Sequence, residues 1–159
     1  MGKNTCFIQT GMRTGGKGMV RLATEMDAEQ LERLNIEFNG EGETTLEAIR
    51  DSLLNNQQEL VFVDDENGLL TGFVCVQLKR SFCYDKYTPE ITEVYVKEEY
   101  RKRGIASAMI RFAENCCREN FPLQKFELLT GKNNKGAQTV YGKLGYREDG
   151  ELHLIKRTK

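Results

Sequence analysis

Residues 91–119 constrain the fold more than any other stretch, because they read as a strand, a short loop and a helix in immediate succession. The run Ile91 to Val96 is β-branched and aromatic and has the length of a strand. Apolar residues then recur with a spacing that marks one face of a helix, at Ile105, Met109, Phe112 and Cys116. The stretch therefore predicts a strand-to-helix unit with its junction at residues 97–104.

The junction itself predicts an anion site. Gly104 permits a tight turn and a close approach of a ligand to the backbone. The N–H groups of the following helical turn have no partner inside the helix, and with the helix dipole they bind anions, typically phosphate. Arg101, Lys102 and Arg103 add positive charge at the same point. A lone Gly-x-Ala would fit an ordinary turn equally well, so the prediction depends on the whole run.

The run Arg-Lys-Arg-Gly-Ile-Ala at residues 101–106 resembles the Arg/Gln-x-x-Gly-x-Gly/Ala pyrophosphate loop of the GNAT-type N-acetyltransferases, which bind acetyl-coenzyme A. It is neither a dinucleotide fingerprint, because it has one glycine, nor a Walker loop, because no Gly-Lys-Ser/Thr ends it. Residues 134–146 resemble the second family signature, Asn-x-x-Ala-x-x-Leu-Tyr-x-Lys-x-Gly-Phe, with Val140 and Tyr146 as departures. The resemblance covers about residues 19–157.

The resemblance implies a site for acetyl-coenzyme A formed by the loop, the strand before it and the second motif. The residues implied for the pyrophosphate are Arg101, Lys102, Arg103, Gly104, Ile105, Ala106 and Ser107. The residues implied to offer backbone groups to the pantetheine arm are Val94, Tyr95 and Val96. Asn134 is implied to contact the cofactor, and Tyr141 to lie beside its sulfur.

Acyl transfer from a thioester needs an acid for the departing thiolate and a base for the incoming ammonium. The Tyr141 phenol, with an ordinary pKa of about 10, suits the acid role, and core packing is its alternative. Glu93 is the expected base; Glu90 is an alternative base, and a purely ion-paired role is the alternative for Glu93. The two glutamates are separated by an odd offset, so they point to opposite faces of the strand unless a bulge intervenes.

The acceptor is expected to be a small cationic amine. The acidic stretch 37–43 is either a solvated loop or an electronegative wall formed by its glutamates, which are Glu37, Glu41 and Glu43. The candidate acceptor-binding residues are Glu37, Phe38, Asn39, Glu90 and Glu93. Similarity to small aminoglycoside acetyltransferases around these residues and residues 141–148 favours an aminoglycoside. A polyamine, an amino-acid amine and a protein amino terminus remain alternatives, as does a coenzyme A-binding regulatory module without turnover.

Composition excludes other classes. The net charge is −1 with 30% charged residues, which argues against a nucleic-acid binder. No apolar run approaches the roughly 20 residues of a membrane span, and the amino terminus lacks a secretory apolar region, so we expect a cytoplasmic protein without membrane contact. The five cysteines lack Cys-x-x-Cys spacing and predict reduced thiols, and a single histidine gives no support for a metal site. Only the family resemblance suggests a homodimer.

The chain predicts an α/β (α+β) fold with one domain at residues 19–159. Residues 1–18 have no apolar period and predict a flexible arm, a vector remnant or an upstream start. The predicted strands are 19–23, 59–63, 69–78, 91–96, 124–130 and 151–157. The predicted helices are 28–38, 45–54, 107–119 and 137–144. A hairpin turn is expected at Asn67-Gly68. This order predicts a mixed central sheet of six to seven strands flanked by about four helices.

Overall fold

The computed structural model of the protein describes residues 11–14 and 17–158. The strands are β1 (Met12–Arg13), β2 (Met19–Leu22), β3 (Glu59–Glu66), β4 (Leu69–Lys79), β5 (Thr88–Val96) and β6 (Glu127–Leu128). The helices are α1 (Ala28–Asn39), α2 (Leu46–Asn55), α3 (Ile105–Asn120) and α4 (Lys135–Lys143). Two 3-10 turns, Glu25–Asp27 and Glu98–Tyr100, precede α1 and follow β5.

The six strands form one sheet in the order β1-β2-β3-β4-β5-β6. Neighbouring strands are antiparallel from β1 to β5, and only β6 runs parallel to its neighbour, β5. The predicted mixed sheet with about four helices is therefore confirmed. The chain packs as two compact units that divide after Leu129, the first with the sheet and α1 to α3, the second with α4. No helix within the described ranges combines the length and apolar character that a bilayer span requires.

The two faces of the sheet carry different helices, because alternate strand residues point to opposite sides. On one face, Val63, Phe73 and Tyr95 pack in a core with Leu31 and Leu34 of α1. On the other face, Phe62 meets Phe112 of α3 edge to face, with ring centroids 5.8 Å apart. Burial of both apolar faces stabilises the sheet between α3 and the α1–α2 pair.

Arg21 of β2 anchors the start of α1 to the sheet. Its Nη1 and Nη2 each donate to the Asp27 carboxylate at 2.8 Å, and its Nη2 donates to Asp65 of β3 at 2.9 Å. Burial alone would raise the pKa of Asp27, but the bonds from Arg21 and Thr24 outweigh it and lower that pKa. The fixed start of α1 determines where its carboxyl-terminal end lies over the sheet.

Most predicted elements of the first half are confirmed. Helix α1 ends before Gly40, whose positive φ of 94° suits a glycine, and Thr45 caps α2 by accepting from the Ala48 N–H at 3.2 Å. The hairpin turns at Asn67 and Gly68, both with positive φ, as the sequence predicts. Local signals of this kind act within a few residues, which is why they are legible in the sequence.

The ends of the chain differ from prediction. The predicted strand at 151–157 is wrong: the segment has no strand pairing within the described chain, and Leu152 and Leu154 are 86% and 84% exposed. Strand propensity does not supply the partner that a ladder requires. The strand predicted at 124–130 shortens to Glu127–Leu128, the part that pairs with Glu90 and Ile91.

An additional strand lies within the segment predicted as an arm. Met12 and Arg13 pair with Val20 and Met19 of β2, and the Thr14 N–H donates to the Gly18 carbonyl at 3.0 Å. A two-residue strand carries no period that a sequence can show. The rest of the predicted arm, residues 1–10 and 15–16, lies outside the described residues.

Gly72 sets the close approach of β4 and β5, so we predict that Gly72→Ala destabilises the protein. An added Cβ would lie 2.5 Å from the Tyr95 carbonyl oxygen and 3.2 Å from the Met109 methyl carbon. Overpacking of this kind costs about 1–3 kcal/mol in the free energy of unfolding, which denaturant titration measures. Gly142→Ala, in α4 with no atom within 4 Å, is the control and should not destabilise. An unchanged midpoint for Gly72→Ala would contradict the packing.

Candidate active site

A β-bulge in β5 places both candidate bases on one face of the sheet. Cys75 of β4 pairs with Glu93, and Gln77, two residues along β4, pairs with Glu90. Thr92 is therefore the residue of β5 without a paired residue on β4. One extra residue between paired positions is the signature of a bulge. Because Cys75 and Gln77 share a face, Glu90 and Glu93 share it too, which is the face that carries α1 and α2. The bulge resolves the odd offset that the sequence left open.

The two glutamates nevertheless differ in their partners. Lys79 Nζ lies 3.1 Å from Glu90 Oε2 and also contacts Glu127 of β6, so the Glu90 charge is partly offset. Glu93 is half-buried and forms neither a hydrogen bond nor an ion pair within the described chain. Burial, and then the charge of Glu59, raise the pKa of Glu93 above its ordinary value. Glu93 is therefore the carboxylate available to accept a proton.

The strand-to-helix junction has the geometry of an anion site. Gly104 is the N-cap of α3 with a left-handed φ of 78°, and no side chain caps the helix. An added Cβ at Gly104 would meet no atom within 4 Å, so the space beside the backbone is open. The first intrahelical bond runs from Ala108 to Gly104. The N–H groups of Ile105, Ala106 and Ser107 consequently remain available to an anion.

The three basic residues of the loop behave differently. Arg101 Nε donates to the Val96 carbonyl at 2.9 Å, and Arg103 Nη2 donates to the Glu99 carbonyl at 2.9 Å. Both guanidinium groups thus brace the loop against its own backbone. Lys102 has a positive φ of 62° and forms no ion pair within the described chain. Its ammonium is the loop's unpaired cation.

The edge of β5 that faces β6 is open over its second half. Strand β6 pairs with Glu90 and Ile91, and no strand of the described chain pairs with this edge beyond them. The Tyr95 carbonyl faces Gly72 of β4, whereas the Val96 carbonyl accepts from Arg101 on the other side. Alternation along a strand therefore presents the backbone groups of Val94 and Val96 at the open edge. Of the three residues expected to offer backbone groups, Tyr95 faces the other way.

The end of α1 is joined to β5 beside the loop. Tyr95 Oη donates to Glu37 Oε2 at 2.9 Å, and Lys97 Nζ lies 3.7 Å from Glu37 Oε1. Phe38 packs on Tyr95, with ring centroids 5.2 Å apart. Burial, followed by the bond to the Glu37 carboxylate, raises the pKa of Tyr95. Glu37 and Phe38 thus hold α1 in place.

The remaining loop residues of the predicted acceptor side are exposed. Asn39 Nδ2 donates to Asn35 Oδ1 of the same helix at 2.8 Å. Glu41 and Glu43 lie in the exposed stretch between α1 and α2. The structure therefore shows one anchored glutamate in this stretch, Glu37, and two solvated ones.

The second motif forms α4 in the second unit. Asn134 is its N-cap and accepts from the Ala137 N–H through Oδ1 at 3.2 Å. Gly145 follows the helix with a positive φ of 96°, a conformation that suits glycine. The rings of Tyr141 and Tyr146 meet edge to face at 6.2 Å, and burial raises the pKa of the Tyr141 phenol. That phenol therefore stays protonated, as an acid must before it donates.

Three residues of this site were not predicted from the sequence. Lys79 partly offsets the charge of Glu90, Lys97 pairs with Glu37, and Glu59 acts on Glu93. Each acts across strands or between a helix and a strand, so the partner is remote in sequence. A lysine or glutamate at the end of a strand is too common a pattern to identify the contact.

Comparisons with known proteins give one family. The model of the acetyltransferase (GNAT) family matches residues 24–146. An uncharacterized N-acetyltransferase of Methanocaldococcus jannaschii is 32% identical over 110 residues, which are 66% of this chain and 48% of that protein. An N-alpha-acetyltransferase of Sulfurisphaera tokodaii is 24% identical over 101 residues, which are 60% of each chain. The chain thus spans about half to three fifths of the length of these relatives.

The fold also matches solved structures. An aminoglycoside acetyltransferase from an uncultured soil metagenomic sample, solved in complex with sisomicin, superposes with a TM-score of 0.79 at 17% identity. The match covers 90% of this chain and 97% of that one. At this identity the likeness establishes the fold.

The Tyr95–Glu37 bond predicts a local effect of Tyr95→Phe. Loss of a hydrogen bond to a charged group, worth about 1.5 kcal/mol, should loosen the last turn of α1 and residues 40–44. Hydrogen exchange of these amides should accelerate by about tenfold, the factor that corresponds to this energy. Tyr100→Phe is the control, because its ring contacts Arg103 and its hydroxyl has no hydrogen bond in the described chain. Equal exchange in both variants would contradict the anchoring role.

Proposed function

Because the chain belongs to the acetyltransferase (GNAT) family, we propose that it transfers the acetyl group of acetyl-coenzyme A directly to a primary amine of a small cationic acceptor. The family uses acetyl-coenzyme A. The observation that carries the proposal is the state of Glu93, a half-buried carboxylate without a cation beside it. Its raised pKa lies closer to the pH at which an enzyme works, and a general base is most effective when its pKa lies near that pH.

The described residues fit the cofactor. The open space at Gly104, the uncapped N–H groups of residues 105–107 and the Lys102 ammonium suit a pyrophosphate. The edge groups of Val94 and Val96 suit an amide-rich arm that lies along β5 as an added strand would. The cofactor supplies an acyl group already activated as a thioester. The side chains of the protein are left to transfer protons, to position the acceptor and to stabilise charge.

Since the cofactor supplies the activated acyl group, the proposed roles of the side chains are in proton transfer. A primary amine with a pKa near 10.4 is almost entirely protonated at pH 7, so it must lose a proton before it attacks. Glu93 takes that proton, directly or through a water molecule. For Tyr141 we propose the acid that protonates the departing thiolate. The support for Tyr141 is its motif, its position on α4 and a phenol kept neutral by burial.

The negative charge of the glutamates around Glu93 favours a cationic acceptor. Glu59, Glu90, Glu93 and Glu127 lie on the same face of the sheet. Lys79 pairs with Glu90 and Glu127, and Lys125 pairs with Glu127. The fold shared with an aminoglycoside acetyltransferase is consistent with an aminoglycoside-like acceptor, and the charge alone suits a polyamine equally. A peptide amino group is the second candidate, since one relative is an N-alpha-acetyltransferase. Coenzyme A binding without turnover is the remaining alternative.

The cofactor assignment predicts that Gly104→Val weakens acetyl-coenzyme A binding by about tenfold or more, or ~1.4 kcal/mol. The branched side chain would fill the open space beside the loop. Gly68→Val is the matched control, since Gly68 also has a positive φ and no atom within 4 Å of an added Cβ. Calorimetry on both folded variants measures the affinities. Equal affinities for both would mean that the loop does not hold the pyrophosphate.

The base assignment predicts that Glu93→Gln lowers kcat/KM at neutral pH by about 10²-fold. The difference in kcat/KM between the parent and the variant should become smaller at high pH, because the amine then loses its proton unaided. The KM for a cationic amine should rise, because a charge-assisted contact disappears. Steady-state rates across the titration of the amine test this. Glu90→Gln is the comparison, because Lys79 already partly offsets the Glu90 charge, and should keep the parent profile. The reverse pattern would assign the base to Glu90.

A further inference from the structure

Glu59 lies in the same cross-strand pattern as the proposed base. Glu59 of β3 pairs with Gln77 of β4, and Gln77 pairs with Glu90 of β5. Val61, two residues along β3, pairs with Cys75, which pairs with Glu93. Residues that pair across strands share a face, so Glu59 and Glu93 lie diagonally on one face with Cys75 and Gln77 between them.

The Glu59 carboxylate is held by neutral donors. Ser52 Oγ of α2 donates to Glu59 Oε2 at 3.1 Å, and Gln77 Nε2 of β4 donates to Glu59 Oε1 at 3.3 Å. Neither donor carries a charge, so the negative charge of Glu59 is fixed in position but not neutralised. Glu90, by contrast, has its charge offset by Lys79.

Charged and titratable groups face Glu93 from each neighbouring element. Strand β3 contributes Glu59, β4 contributes Cys75 and Lys79, β5 contributes Glu90, and β6 contributes Glu127. From the helices, Ser52 of α2 bonds Glu59, and Glu37 of α1 bonds Tyr95. Lys79 is engaged with Glu90 and Glu127. Glu59 is therefore the uncompensated charge among these neighbours.

We propose that Glu59 is a positioning residue of the acceptor side, held by Ser52 and Gln77 so that its charge acts on Glu93 and favours proton uptake there. The proposal rests on the proposed role of Glu93 as base. A like charge nearby disfavours the ionised form of a carboxyl group. Burial and the charges of Glu59 and Glu93 together raise the pKa of the Cys75 thiol between them, which is consistent with both carboxylates acting on one small region.

The test is an NMR titration of the Glu93 side-chain carboxyl carbon in the parent protein and in Glu59→Gln. Glutamine keeps the size of the side chain and one of the two oxygens that accept from Ser52 and Gln77, and it removes the charge. We expect the Glu93 midpoint to fall toward the ordinary value of glutamate, since one cause of its elevation is gone. Glu47→Gln, an exposed position on α2, makes the same change in net charge and should leave the midpoint in place. An unchanged midpoint in Glu59→Gln, or an equal fall in both variants, would overturn the proposal.

The pH dependence of kcat/KM separates this inference from the proposed function. If Glu93 is the base and Glu59 acts on it, the acid limb in Glu59→Gln should move to lower pH together with the NMR midpoint. A midpoint that moves while the acid limb stays supports the action of Glu59 and removes Glu93 from the base role. Glu59→Asp keeps a charge at this position and should retain more of the elevation of the Glu93 midpoint than Glu59→Gln does. A midpoint as low as that of Glu59→Gln would overturn the proposal by showing that the charge is not responsible.

Discussion

The bulge at Thr92 is the constraint on which the arrangement of this site depends. Without the extra residue, Glu90 and Glu93 would point to opposite faces of β5, and one of them would lie under α3. With it, β5 keeps Tyr95 in the core with α1 while Glu90 and Glu93 occupy the same face. A bulge also increases local twist, and β5 loses its pairing with β6 just after Ile91. The bulge thus sets the direction of the Glu90 and Glu93 side chains, and the open edge of β5 begins beside it.

The face of the sheet that carries α1 and α2 has an apolar half, which fixes α1, and a polar half, which carries the acidic side chains. Val63, Phe73 and Tyr95 form the half covered by α1, and their burial fixes the helix. Glu59, Gln77 and Glu90 form the polar half, where Lys79 offsets part of the negative charge. Glu93 lies between the two halves, half-buried and without a partner in the described chain. Partial burial raises its proton affinity, and no cation of the described chain pairs with it, as the proposed role of a base requires.

Local chemistry was legible in the sequence, whereas contacts between remote residues were not. The tight turn at Gly104, the helix start at Thr45 and the Asn67-Gly68 turn each follow from conformational preferences of one or two residues. The bulge at Thr92 leaves no such mark, so the shared face of Glu90 and Glu93 had to be observed.

The wrong prediction of a strand at residues 151–157 came from strand propensity without a pairing partner. The segment 151–157 alternates as a strand does, yet it pairs with no strand in the described chain. The acidic stretch around Glu37 left a solvated loop and an electronegative wall open as alternatives, and the structure shows that the Glu37 carboxylate is engaged by Tyr95 and Lys97. Sequence shows which charges are present, and only the fold shows which of them are already neutralised.

The central claim is acetyl transfer to a cationic amine, and the most direct measurement is release of free coenzyme A from acetyl-coenzyme A. The purified protein would be assayed side by side with aminoglycosides, polyamines and peptides with free amino termini, and the products identified by mass. The account predicts saturable thiol release with at least one small cationic amine, and a product heavier by one acetyl group. Tight binding of acetyl-coenzyme A with no thiol release for any amine would contradict it and indicate a binding module without turnover.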